Sequence, residues 1–160
     1  MARGPRILLD NVCYHIINRG NQKQNIFMED DDYCTYLDLL KHYKKKYGFK
    51  IYGYCLMPNH VHLLLEPKDP YKLAETMQVI TQSYTAWFNL KYKKVGHLWQ
   101  GRFKSMVIQK DNYFVSCVYY IEANPVRAKL ALSPIDYKWS SYKDRITSNK
   151  TTLLDLPNST

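Results

Sequence analysis

Two histidines with one residue between them, His60-Val61-His62, stand inside an otherwise apolar run from Cys55 to Leu65. That run has strand composition, and side chains along a strand alternate between faces, so residues two apart project together. Two imidazoles then leave an apolar element on one side, close enough to share one metal ion. Burying a pair of polar rings costs free energy unless something bonds them. A single histidine on an apolar strand is more often a hydrogen-bonded core residue. A second at period two would need a partner of its own, so a shared ligand competes evenly with that plainer reading.

Farther along, Tyr120 and Asn124 are four residues apart in a helical stretch that opens at Asp111 and should stop just before Pro125. Phe114, Val118 and Ile121 form an apolar stripe at i, i+4, i+7 that would dock on a sheet. Tyr120 lies about 100° around the helix from Ile121, beside that stripe. If this helix packs near the histidine strand, one site holds two imidazoles, an amide oxygen and a phenol. Such a set suits phosphodiester cleavage. Two His and one Asn oxygen are three neutral metal ligands, with positions left for water and a phosphate oxygen. A divalent cation would offset charge on the phosphate and favour the phenolate needed for attack. Attack on DNA would store the bond energy as a phosphotyrosine, which strand transfer needs and hydrolysis does not. The plainer readings are that Tyr120 is one packing aromatic among 15 tyrosines, and that Asn124 merely tolerates the helix exit. Tyr119 is the rival nucleophile, but the residue four later is Ala123, which offers no ligand.

The elements that must position these groups follow from pattern. Val12 to Asn18 reads as a strand ending in the turn signal Asn18-Arg19-Gly20-Asn21. Asp30 to Tyr47 has an acidic start, a basic finish and Tyr33, Tyr36, Leu37 and Leu40 at helical spacing. Phe49 to Met57 and His60 to Glu66 read as strands around a Pro58-Asn59 turn, Tyr71 to Lys93 as a helix, and Phe103 to Gln109 as a strand. The order strand, helix, strand, strand, helix, strand, helix points to an α+β sandwich with a largely antiparallel sheet, close to a ferredoxin-like plan. Residues 1–148 are expected to form one domain behind a basic leader, and residues 149–160 a frayed tail.

The chain has 160 residues, a formal net charge of +9 and a pI near 9.3, a balance that favours a polyanionic partner such as nucleic acid. With 46% hydrophobic residues it is too apolar for disorder. Cys13, Cys34, Cys55 and Cys117 are far apart, which argues against a zinc finger and for reduced thiols in the cytoplasm. No run is long enough to span a bilayer. Basic and aromatic residues alternate around Lys44, Lys45 and Lys46, which suits single-stranded DNA and equally suits a solvated helix end. In Trp99-Gln100-Gly101-Arg102-Phe103-Lys104 a tight glycine would bring backbone close to a ligand, with Arg102 and Lys104 beside it.

Taken together, these stretches resemble the single-tyrosine HUH transposases, and within them the REP-associated tyrosine transposases. The resemblance rests on Tyr14-His15-Ile16-Ile17-Asn18-Arg19-Gly20-Asn21, Leu56 to Leu64, Gly96 to Lys104, Tyr120 to Ala128 and Trp139-Ser140-Ser141-Tyr142. It implies a ferredoxin-like HUH fold and metal-dependent cleavage of single-stranded DNA near an imperfect hairpin, through a 5′-phosphotyrosine. It further implies a nucleoid-associated location, His60, His62 and Asn124 as ligands of Mg2+ or Mn2+, and Tyr120 as nucleophile. Many relatives carry glutamine where this chain has Asn124. Arg19, Asn21 and Arg127, in the same stretches, would contact DNA. Related transposases often act as homodimers, whereas REP-associated members also act as monomers.

Two other readings compete. One is a catalytically silent protein that only grips single-stranded or hairpin DNA. The other is a hydrolase using His-x-His for phosphate or zinc. A triple-histidine site would want a third His where Leu64 stands, and a catalytic zinc would seek a carboxylate, for which Glu66 is on the right strand face.

Overall fold

The computed structural model describes residues 6–147 and 153–157. Four strands, β1 (Cys13–Arg19), β2 (Lys50–Met57), β3 (His60–Glu66) and β4 (Lys104–Ile108), form one sheet in the order β2-β3-β1-β4. Every neighbouring pair is antiparallel, which is the ferredoxin-like plan. Helix α1 (Asp30–Tyr47) links β1 to β2, and α2 (Leu73–Tyr92) links β3 to β4. Then follow α3 (Asn112–Glu122), a short α4 (Asn124–Arg127) and α5 (Tyr142–Thr147).

Strand alternation splits the interior in two. Tyr14 and Ile16 of β1 and Val61, Leu63 and Leu65 of β3 face α1 and α2 in the larger core. Cys13, Cys55, Met57 and Leu64 face the other way and meet Phe114, Cys117, Val118 and Ile121 of α3. The expected apolar stripe of α3 is therefore the one that docks. On this second face the register sets Ile17 opposite His62 and Arg19 opposite His60.

The β2–β3 turn is tied down from outside. The Pro58 carbonyl accepts from the N–H groups of Ile26 and Phe27, and the Asn59 carbonyl accepts from Gly20. Gly20 is required by close approach: a Cβ there would run into the Gln24 carbonyl oxygen. Helix α1 ends as its glycine predicts, with Gly48 at φ 73° donating to the Lys44 carbonyl.

Three expectations change. Helix α3 stops at Glu122, not beside the proline, and Asn124 opens α4. Pro125 has no N–H to give the Ile121 carbonyl, so the ladder breaks; at the start of a new turn that lack costs nothing. Asn124 therefore does not continue the helix that carries Tyr120. The described part of the expected frayed tail, 153–157, is packed: Leu153 is buried, and Asp155 pairs with the Ile51 backbone and with Lys44. This segment covers the open edge of β2; the rest of that tail, and residues 1–5 of the leader, lie outside the described residues. Arg6, also in the leader, lies 3.7 Å from the Phe103 ring centroid.

Candidate active site

The histidine face of the sheet ends at the β2–β3 turn, and four aromatic rings meet there. The ring centroids of His60 and His62 are 5.0 Å apart, as period two along β3 requires. His15, on β1 and diagonal to His62 across the ladder, brings a third imidazole, with its Nε2 3.0 Å from His62 Nδ1. Tyr120 of α3 packs edge-on to His15 and His62, with centroids 6.0 and 6.2 Å away. Tyr119 is 69% exposed and makes no such contact.

The hydrogen bonds leave each β3 imidazole one nitrogen for a ligand. His60 Nδ1 lies 2.7 Å from Asn59 Oδ1, an acceptor, so Nδ1 carries the proton and Nε2 the lone pair. Between His15 and His62 one proton is shared; when His62 Nδ1 donates it, His62 Nε2 also keeps a lone pair. Outer partners on Nδ1 are the usual means of fixing a metal-binding imidazole. All three rings stay neutral near neutral pH. Burial lowers His15 to about 4. Burial and then the Arg19 charge lower His60 to about 4. Burial, the neighbouring His60 and His15, and Arg19 and Arg127 lower His62 to about 3.

Asn124 has a buried Nδ2 with no hydrogen-bond partner, so its amide is not tied to the chain. The two lone-pair Nε2 atoms of His60 and His62 fit two places of the neutral donor set expected for a divalent metal; from Asn124 only Oδ1 could join them, since its unpartnered Nδ2 is an N–H donor. Among the described residues no three His, Cys, Asp or Glu side chains come together to hold one. Glu66 is at the far end of β3, where it accepts from Tyr52 and Lys110.

Tyr120 is half-exposed, and its hydroxyl makes no hydrogen bond among the described residues. Arg127 lies over its ring at 4.0 Å and donates to its backbone carbonyl at 2.6 Å. Helix α3 is clasped two residues farther on. Glu122, buried, accepts from Ser141 Oγ and from Arg145 Nε at 3.1 Å, and Arg145 also donates to the Tyr52 carbonyl. Trp139, Ser140 and Ser141 meanwhile pair with β2, which gives the Trp139-Ser140-Ser141-Tyr142 stretch a structural role.

The expected DNA contacts divide into three places. Arg19 and Lys104 are exposed on the histidine face of the sheet, and Arg127 is exposed beside Tyr120. Asn21 and Arg102 line a groove on the opposite face. Lys44, Lys45 and Lys46 sit at the other end of the sheet, with Lys44 held by Asp155 at 2.6 Å. The residues that pattern reading missed are His15, Asn59, Ser141, Glu122 and Arg145. Of these only His15 carried a signal, the alternation of Cys13, His15 and Ile17 on one face of a strand.

No helix among the described residues is long and apolar enough to cross a membrane. A curated Haemophilus influenzae protein, described as a candidate REP-associated tyrosine transposase, is 28% identical over 107 residues; the match spans 60% of this chain and 60% of that protein. The solved structure of the REP-associated tyrosine transposase bound to a REP hairpin superposes with a TM-score of 0.79 at 17% identity, covering 100% of this chain and 96% of that one. That likeness is one of fold. The sequence model of the IS200-like transposases matches residues 9–124, from the leader through the histidine strand and Tyr120 to Asn124, and the chain belongs to that family.

Proposed function

We propose that this protein nicks and rejoins single-stranded DNA beside a hairpin, with Tyr120 as nucleophile and a 5′-phosphotyrosine as intermediate. The observation that carries the reading is the packing of the Tyr120 ring against His15 and His62. Its hydroxyl is unbonded among the described residues and a guanidinium lies over the ring. His60, His62 and Asn124 would hold Mg2+ or Mn2+, which supplies positive charge for the phosphate oxygens when bound. Imidazole donors favour Mn2+ over Mg2+ in affinity.

In the cleavage step Tyr120 Oη attacks phosphorus. The Oη–P bond forms and the bond from phosphorus to the 3′ oxygen of the preceding nucleotide breaks. The phenolic proton passes to solvent and the leaving oxygen takes one up, giving a free 3′-hydroxyl. Attack by a 3′-hydroxyl on the phosphotyrosine reverses the step and joins strands. Arg127, fixed by the Tyr120 carbonyl, holds the ring and sets a cation where the phosphate must come. Tyr120 and the imidazoles belong to one chain, which supports action by a single copy. The hairpin as partner is supported by the relatives, and a DNA substrate places the work in the cytoplasm, at the nucleoid.

The test is incubation with Mn2+ and a hairpin oligonucleotide carrying single-stranded flanks, followed by a denaturing gel. Covalent adducts are expected with the single strand and not with duplex, and are lost in Tyr120→Phe. Adducts that persist in Tyr120→Phe would refute the nucleophile. Binding without any adduct from the unaltered protein would leave a DNA-binding protein that does no chemistry.

A further inference from the structure

The end of the sheet far from Tyr120 carries a second candidate surface, which DNA cleavage does not use. A slot of about 220 Å³ opens where α1 runs into β2 and β3 runs into α2, lined by Tyr47, Phe49, Leu65, Pro67 and Leu73. Phe49, Leu65 and Leu73 belong to the larger core, so the slot is an apolar dent in its surface. Its volume is below the roughly 300–1,000 Å³ of small-molecule pockets and suits a single large side chain. Cations frame it. Lys68 and Lys72 line the slot, and Lys46 stands beside Tyr47, 5.6 Å from its ring centroid. Lys46 and Lys68 are exposed and pair with no acidic side chain among the described residues. Lys72 meets Glu75 at 3.7 Å, an exposed contact of little strength.

These features select a partner. A nucleobase in the slot would lose the bonds along its edge. The buried Thr76 hydroxyl already donates to the Lys72 carbonyl, and the Asp69 carboxylate accepts from the Tyr71 N–H. An aliphatic or aromatic side chain loses no such bonds and gains from burial. The lysine rim calls for carboxylates on either side of that side chain. One apolar anchor in a pocket, ringed by complementary charge, is the arrangement by which a protein surface holds another chain. Leu65 and His60 are five positions apart on β3, roughly 17 Å. A partner in the slot therefore leaves the histidine end of the sheet free for DNA.

We propose that this slot docks an acidic protein segment: one large apolar side chain enters it, and carboxylates of the same segment meet Lys46, Lys68 and Lys72. The probes are capped pentapeptides, Asp-Glu-X-Glu-Asp with Phe, Leu or Ala at X, and a control with lysines around Phe. Each is titrated into the isotopically labelled whole chain in chelator, and backbone amide resonances are followed. The Phe and Leu peptides should shift the amides of Phe49, Leu65 and Leu73. The Ala peptide should bind about 10-fold or more weakly, and the basic control should not bind. Lys68→Glu, at an exposed position, should weaken the Phe peptide by about 5-fold or more. Lys46→Glu repeats the reversal should Lys68→Glu fail to fold, and both variants should form Tyr120 adducts at the parent's rate. Equal binding of the Phe and Ala peptides, or of the acidic and basic ones, overturns the assignment, as does the absence of shifts at the slot. An oligonucleotide that shifts these amides where the Phe peptide does not would give the surface to nucleic acid, and the proposal would fall.

Discussion

His15 shows how one residue governs another's chemistry. Its Nε2 meets His62 Nδ1 at 3.0 Å, and only the arrangement with His62 as donor leaves His62 Nε2 able to bind a cation. His15→Ala should therefore weaken Mn2+ binding by about 10- to 100-fold, as measured by calorimetry without DNA. His15→Gln, whose oxygen can accept the same proton, should recover part of the loss; a role in packing alone would place both variants together. The imidazoles also tie stability to pH. Their folded values of about 4, 4 and 3 lie below the ordinary 6.5, so between those values the unfolded chain binds more protons. The stability they contribute is present above about pH 6.5 and is lost as pH falls through about 4. Urea unfolding in chelator should show a loss of at least ~1 kcal/mol from pH 7.5 to pH 5; a flat profile would mean the rings are hydrated. The His-x-His pair was legible because period two operates within one strand. His15 was not, since its meeting with His62 depends on the pairing and register of β1 with β3.

At the scale of elements, the position of Tyr120 depends on what holds α3 against the sheet. The apolar stripe supplies adhesion, and the Glu122–Arg145–Ser141 clasp fixes the end of the helix nearest Tyr120. Removing one partner of a buried ion pair leaves the other charge uncompensated. Arg145 is partly exposed and Glu122 is not, so Arg145→Ala should cost about 2–3 kcal/mol, somewhat under the usual 3–5. A change below ~0.5 kcal/mol in denaturant unfolding would mean that water replaces the guanidinium. The residues of α1 were readable end to end, from an acidic start, a basic finish and a glycine stop. The clasp was not readable, because Ser140 and Ser141 act as an added strand on β2, and nothing in two serines announces an edge. The early end of α3 escaped for a related reason. Pro125 restricts its predecessor, and its missing N–H also breaks the bond one turn back.

Across the whole molecule, the excess of positive charge is unevenly useful. Composition gave the sign and the likeness of partner, but not the distribution, which only the fold supplies. Arg19, Lys104 and Arg127 are exposed around the chemistry, whereas Lys45 and Lys46 close α1 at the opposite end of the sheet. Lys44 is bound into the structure by Asp155 and the Leu153 carbonyl. If DNA crosses the histidine face, cations there displace counterions and those on α1 do not. Each alanine substitution at Arg19, Lys104 or Arg127 should then flatten the slope of log affinity against log salt for a single strand by about 0.7. Lys45→Ala with Lys46→Ala should leave the slope unchanged, whereas Lys44→Ala should lower stability. The measurement is a titration of a labelled single strand at several salt concentrations, with the protein free of metal so that no cleavage intervenes. A slope that falls with the α1 lysines and not with Arg19 would move the DNA to the far end of the sheet, away from Tyr120, and the site described here could not be where it is cut.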